Sequence, residues 1–390
     1  MNTIDYHKSA ELKLKLLLSG IRIEDDALSG LGDIYKEYQY GYNDSNWVKQ
    51  SPKQIIPSEI VLPGRIVVAP HLRPSSPYII KKYEGNLYIV NALRDEMVSP
   101  VEYLPRPTIW SRKLNNGASV KEYLNVYGAD CLNLFIVADC EFWREGIPCV
   151  FCSLQPTQAL HKEVVMFKSL DRIEEAVTIA FNSNTSFKWM IITGGSLRNR
   201  DNEVKRYSEV LNTIKKYIPP SWNNKIKGNA ALLPTNKEDD LVNLFHTGIE
   251  HPSFNLEVWG KTRFVDYCKG KEKYASFDYL IDTYKKAVKI WGVGNVWCNF
   301  VGGISPIKDL IQGFYFMADM GVVPGANIFH LDPKAVGVKM GLKEPDEEYV
   351  MQMYSALSNI YKQYGYKPFF SESVLRNSLS NEMYNGWIGY

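Results

Sequence analysis

From residue 132 to residue 331 the chain alternates short apolar runs with longer stretches of helical spacing. The runs are 132–138, 188–193, 225–233, 253–258, 295–301 and 327–331, and their length suits strands covered on both faces. Between them, 170–181, 204–217, 238–247, 279–290 and 307–320 repeat apolar residues every three or four positions, the spacing of amphipathic helices. Strand–helix units repeated in this way imply a parallel sheet with right-handed crossovers. An α/β fold follows, and either an open doubly wound sheet or a partial (β/α)6 TIM-like barrel satisfies the count.

Ahead of this region the pattern changes. Residues 9–18 are strong helix formers that stop at Gly20, and Asp25-Asp26-Ala27-Leu28 opens a second helix. From Ile55 to Thr108, β-rich runs at 60–62, 65–69, 78–80 and 87–90 are broken by Pro and Gly, with Glu84-Gly85-Asn86 as a hairpin turn between the last two. Residues 1–127 therefore read as a smaller α+β domain with its own sheet, 128–345 as the barrel, and 346–390 as a C-terminal helix (347–364) and an aromatic tail. Met383, Tyr384, Trp387, Ile388 and Tyr390 make that tail unusually apolar. It either covers the open side of the barrel or packs on the N-terminal domain. The basic, rigid stretch His71-Leu72-Arg73-Pro74-Ser75-Ser76-Pro77 reads as a surface turn, with a substrate loop as the alternative.

Composition narrows the class. With 390 residues, 45% hydrophobic and 23% charged, the chain has material for one large core and a smaller one. A formal net charge of +2 gives no basic excess of the kind that draws in nucleic acid or an anionic membrane. Met1-Asn2-Thr3-Ile4-Asp5-Tyr6-His7-Lys8 lacks the apolar segment of a signal peptide, and no apolar run reaches membrane-spanning length. Six cysteines without a secretion signal point to a cytoplasmic, reducing location and away from a disulfide framework.

Three of those cysteines share one loop, 139–153, which leaves the first apolar run: Cys140, Cys149 and Cys152. Parallel α/β folds carry their chemistry at such strand ends. A zinc site normally takes four ligands in two close pairs, whereas this chain has a single Cys-x-x-Cys pair. An iron–sulfur cube held by three thiolates instead leaves one iron open to a ligand. Cys131 is no fourth member, since nine extended residues at ~3.3 Å each place it ~30 Å away. It reads as a small buried apolar side chain.

Cys149-Val150-Phe151-Cys152 resembles the Cys-x-aromatic-Cys half of the cluster motif of the radical S-adenosylmethionine enzymes. Eight residues lie between Cys140 and Cys149, where the commonest members have a shorter gap and some subfamilies a longer one. The resemblance covers 131 to about 335 and implies the partial barrel. It also implies a [4Fe-4S] cluster on Cys140, Cys149 and Cys152, with S-adenosylmethionine on the open iron and Phe151 beside its adenine. Thr193-Gly194-Gly195-Ser196 stands where the family has a Gly-Gly-Glu-like segment for the methionyl amino group. Because Ser196 replaces the acidic residue, a backbone carbonyl contact is expected here. Asn255, Glu257 and Trp259 share a face by the two-residue period of a strand. Of these, Glu257 resembles the residue that contacts the ribose or methionyl part, with an ion pair to Arg263 or Lys261 as the structural alternative. The resemblance further suggests Arg263 on the methionyl carboxylate and Val301 and Gly302 near the base. Asn299 and His330 sit near strand ends, His330 reading as a core histidine or a substrate contact.

By the same resemblance a flavodoxin- or ferredoxin-type protein delivers an electron, a C–S bond of S-adenosylmethionine breaks, and a carbon radical abstracts hydrogen from a small-molecule substrate. The N-terminal domain and tail are then natural lids that exclude water. No second cysteine cluster accompanies the first. Two other classes use some of the same residues: a structural zinc or redox iron–sulfur protein, and a non-radical barrel enzyme in which the thiols are incidental.

Overall fold

The computed structural model of the chain describes residues 5–29, 36, 56–158, 167–332, 334–369 and 375–389. Met1-Asn2-Thr3-Ile4, Ile55, Pro333 and Tyr390 lie outside the described residues. Three sheets are present among them. The N-terminal part holds β1 (Arg22–Ile23), β2 (Ile60–Leu62), β3 (Ile66–Val68), β4 (Tyr78–Tyr83), β5 (Asn86–Asn91), β6 (Glu96–Pro100) and β7 (Glu102–Tyr103). They form one sheet in the order β1-β4-β5-β6 and another in the order β3-β2-β7. Glu84 and Gly85 join β4 to β5 with φ of 48° and 85°, the left-handed pair that a tight hairpin turn requires.

The large sheet runs β14-β13-β12-β11-β10-β9-β8. Its members are β8 (Asn125–Tyr127), β9 (Cys131–Val137), β10 (Trp189–Gly194), β11 (Ile226–Ala231), β12 (Ile249–Ser253), β13 (Val296–Gly302) and β14 (Val322–Ile328). The strands from β9 to β14 are parallel and in sequence order, β8 lies antiparallel on the β9 edge, and the sheet curls into a half barrel. The curl decides between the two architectures that the pattern left open. Although β8 precedes residue 128, it hydrogen-bonds within the barrel sheet. Leu132, Leu134, Ile136, Met190 and Ile192 are fully buried on one face of β9 and β10, and each contributes about 1.5–3 kcal/mol by burial.

Two strands begin earlier than the apolar pattern suggests. β12 occupies Ile249–Ser253 rather than 253–258, hidden in the sequence by Glu250, His251 and Pro252. The burial that makes His251 strand-like comes from the neighbouring strand, where its ring stacks 4.1 Å from that of Trp297. β14 occupies Val322–Ile328 rather than 327–331, with Pro324 inside it. An edge strand tolerates proline because one row of its backbone groups has no ladder partner. The helix Glu347–Tyr364 covers that edge: Tyr361 donates to the carbonyl of Pro324 at 2.8 Å and Tyr354 to that of Ala326 at 3.1 Å.

Helix ends follow their caps. Ser276 accepts from the amide of Tyr279 at 3.3 Å to start Phe277–Trp291, which stops at Gly292 with φ 87°. Asn199 caps Asn202 at 2.9 Å, so that helix begins at Arg200 rather than 204. Of the two placements open to the aromatic tail, the structure shows the N-terminal one. Trp387 stacks on Tyr6 with ring centres 4.5 Å apart, and Lys13 meets Glu382 at 2.7 Å. Farther along, Arg376 lies 3.1 Å from Glu59 and 3.8 Å over the ring of Tyr127, while Lys36 donates to the carbonyl of Val126 at 2.7 Å. These contacts tie both ends of the chain to β8. No helix among the described residues is long and apolar enough to cross a membrane.

Candidate functional site at the barrel mouth

The candidate cluster and cofactor residues other than Arg263 lie at or just beyond the carboxyl ends of parallel strands, the end of an α/β barrel that carries its chemistry. Cys140 comes just after β9 and caps the short helix Glu141–Arg144. The β10 end locks it in place: the Gly195 amide donates to the carbonyl of Val137 at 2.8 Å, and the Glu141 amide to that of Ser196 at 3.0 Å. A Cβ on Gly195 would overlap the carbonyl of Asp139 and crowd the Cα of Cys140. The space left by this glycine is thus filled by the cysteine loop. Asp139 is buried, accepts from the Cys140 amide at 2.8 Å and pairs with Arg144.

The other end of the loop is held by Val150. Its amide donates to the carbonyl of Tyr267 at 2.9 Å, and its carbonyl accepts from Gly337 at 2.7 Å. Tyr267 belongs to a pair of short helices, Lys261–Tyr267 and Lys269–Tyr274, that follow β12. Phe142 packs where a side chain on Gly270 would stand and stacks on Tyr274 with centres 5.6 Å apart. Glu145 accepts from Tyr274 at 2.7 Å and pairs with Lys273 at 2.9 Å. This buttress, with Cys268 and Lys271 in it, escaped the sequence reading, since its lysine-rich polar spacing resembles a solvated linker. The signals present were a glycine inside a helical stretch and a further thiol.

Lys271 donates to Glu257 at 2.7 Å and to the carbonyl of Asn255 at 2.7 Å. Neither expected partner of Glu257 reaches it: Lys261 pairs with Asp278, and Arg263 with Asp309 at 3.2 Å and the carbonyl of Trp259 at 3.1 Å. Arg263 therefore does not join Glu257 at the mouth. Glu257 has φ 67°, a left-handed backbone costing a non-glycine residue of order 1–3 kcal/mol. Its amide donates to the carbonyl of Asn299 at 3.1 Å and its carbonyl accepts from Val301 at 2.7 Å. The turn breaks the two-residue period, so Trp259 leaves the shared face and packs on Gly313 and Phe316. Asn255 Oδ1 accepts from Ser253 at 2.5 Å and from the Asn299 amide at 3.1 Å, splicing β12 to β13 where backbone pairing is sparse. Val301 is half-buried, whereas the Cβ position of Gly302 is filled by Met353 of an outer helix. The two neighbours therefore present opposite faces. Phe151 and Thr193 are half-buried. The ring of His330 lies 4.2 Å from that of His71, tilted by 37°, and burial lowers its pKa below the ordinary histidine range.

The three loop thiols feel one another. Burial pushes Cys152 up to about 12, with Cys149 and Cys140 adding to the rise. Contact with Cys268, then burial, raises Cys149 well above the usual thiol range. Burial also raises Cys140, against which the backbone amides of Ser196, Phe142 and Trp143 favour its thiolate. Among the described residues no three His, Cys, Asp or Glu side chains converge closely enough to hold a metal ion as they stand. The donor set nevertheless fits an iron–sulfur cluster in kind. It offers soft thiols on one loop, amides directed at sulfur, and a shared electrostatic cost that a bound cation relieves. Lys271 stays charged despite burial, which would lower its pKa, because Glu257, Cys149 and Cys268 hold it above the ordinary lysine range.

Fold and site together define a class: a parallel half barrel whose first strand opens into a three-thiol loop and whose second ends in a glycine pair fitted against that loop. In this it resembles the radical S-adenosylmethionine enzymes. The bacteriochlorophyllide c C-7(1)-hydroxylase of Chlorobaculum limnaeum is 23% identical over 264 residues, 65% of this chain and 65% of its own length, so the match falls just short of two thirds of the relative. Among solved structures, methylornithine synthase (PylB) aligns with TM-score 0.44 and 13% identity over 64% of this chain and 71% of that one. HydG, a maturase of the [FeFe]-hydrogenase, aligns with TM-score 0.44 and 15% identity over 67% and 57%. All three are radical S-adenosylmethionine enzymes. No family model matches the chain.

Proposed function

We propose that this chain is a radical S-adenosylmethionine enzyme that acts on a small organic substrate, with Cys140, Cys149 and Cys152 as the ligands of a [4Fe-4S] cluster. The observation that carries the reading is the fit of Gly195 against Asp139 and Cys140, which couples the thiol loop to the strand end expected to meet the cofactor. When bound, cluster and cofactor supply one-electron cleavage of a C–S bond and so a hydrogen-abstracting radical. The chain's own residues do the rest. The loop offers three thiols and leaves the remaining coordination site to the cofactor. Carbonyls of the Thr193-Gly194-Gly195-Ser196 segment accept from the methionyl amino group, and Phe151 flanks the adenine. Lys271 fixes the Glu257 carboxylate at 2.7 Å for the ribose hydroxyls, with Asn255 beneath it and Val301 on the base side. Arg263, paired with Asp309, is left out of this assignment.

An electron donor of the flavodoxin or ferredoxin type and a cytoplasmic setting belong to the same reading. So does the division into 1–127, 128–345 and 346–390, with the first and last parts shielding the mouth from water. The name of the hydroxylase relative favours functionalisation of a C–H bond. The test is anaerobic reconstitution with iron and sulfide, reduction with dithionite, and identification of the S-adenosylmethionine cleavage product. Cys140→Ala, Cys149→Ala or Cys152→Ala should each abolish cleavage. Cleavage that survives any of the three, or an iron content of zero in the parent protein, overturns the assignment.

A further inference from the structure

Cys268 has no part in that function, yet it stands against one of the proposed ligands. We propose that Cys149 and Cys268 form a redox pair whose disulfide closes in the cluster-free chain and withdraws Cys149 from metal binding. Three observations carry this. The Val150 amide donates to the carbonyl of Tyr267 at 2.9 Å, which sets Cys149 and Cys268 on either side of one backbone hydrogen bond, and Cys268 is the neighbour that acts most strongly on the Cys149 thiol. Both segments are held rigidly, the loop by Gly337 and the helix pair by Phe142 against Gly270. Cys268 is fully buried at the break between its two helices, with φ −123° and ψ 46°, while Cys149 is half-buried. Cys149 is therefore the more accessible residue of the pair, and Cys268 is the resolving one. The Cys152 sulfur accepts from the Leu154 amide at 3.4 Å.

The chemistry balances with a low-molecular-weight disulfide such as oxidised glutathione as the oxidant. The Cys149 thiolate attacks one glutathione sulfur and displaces the other as glutathione, leaving a mixed disulfide. Cys268 then attacks the Cys149 sulfur, and its proton leaves with the second glutathione. Two protein thiols lose two electrons, which leave on two molecules of glutathione.

The pairing stands on the backbone hydrogen bond that joins the two segments, and only its consequence for metal binding rests on the ligand role proposed for Cys149. The test uses the full-length, cluster-free chain. It is reduced, exposed to oxidised glutathione, alkylated with N-ethylmaleimide and mapped as peptides. A Cys149–Cys268 linkage should dominate in the parent and vanish in Cys268→Ser and in the better-packing Cys268→Val. Iron uptake from iron and sulfide without thiol reductant should fall several-fold in the oxidised parent, return on adding dithiothreitol, and persist in either variant after the same oxidation. Linkage of Cys149 to Cys140 or Cys152, or complete alkylation of Cys268, overturns the pair. Full iron uptake by the linked form overturns the withdrawal. Failure of even the reduced parent to bind iron defeats the cluster assignment instead and leaves the peptide map to judge the pair.

Discussion

Gly195 is the residue at which the site is most sensitive to a single methyl group. Gly195→Ala forces a Cβ into the Asp139 carbonyl, and a clash with backbone is relieved only by moving the loop, at about 1–3 kcal/mol. Iron bound after anaerobic reconstitution should drop severalfold, while circular dichroism remains that of the parent; unchanged iron content would separate Gly195 from the site. Lys168 gives a titration signature. Its side chain is buried and burial depresses its amine to about 8, against ~10.4 in an unfolded chain. Below pH 8 both states hold the proton and the folded state bears the whole cost. From about 8 to ~10.4 the unfolded chain binds more protons, so this group's contribution to stability rises with pH. The stability of the parent relative to Lys168→Met should therefore rise by up to about 3 kcal/mol between pH ~7 and pH ~10.4, as read by urea titration. A difference independent of pH would mean that Lys168 titrates normally.

At the scale of elements, the helix pair 261–274 is what turns a loop of thiols into a fitted site. Lys271→Met leaves Glu257 buried against a neutral chain and should cost about 1–3 kcal/mol in urea denaturation, together with weaker S-adenosylmethionine binding. Normal binding with lowered stability would make the pair structural only. The strongly periodic elements were legible in the sequence: helices at 170–181 and 347–364 fall where their spacing puts them, and the cysteine loop leaves a buried strand. β12 and β14 were legible only in part. Their strand character comes from a stacked Trp297 and from tyrosines laid along the last edge of the sheet, contacts made by residues far away in the chain. Cys268 and Lys271 were invisible for the same reason, since only the fold brings them to Cys149 and Glu257.

Across the whole molecule, the two ends of the chain are fastened to each other and to the barrel. Lys13 and Glu382 are buried against each other, so Lys13→Met should leave an uncompensated carboxylate and cost about 3–5 kcal/mol in urea unfolding. Little change in midpoint would show the tail to be an independent appendage. By itself the sequence determined the alternation of strand and helix, the parallel order this imposes, and the placing of three thiols at the carboxyl end of the first strand, because local periodicity and connection handedness suffice for those. Only the tertiary structure decided which thiol meets Cys268, which cation holds Glu257, which way Gly302 faces and where the aromatic tail lies. These are pairings across tens to hundreds of residues, settled by which buried charges and surfaces find a partner once the sheet has curled.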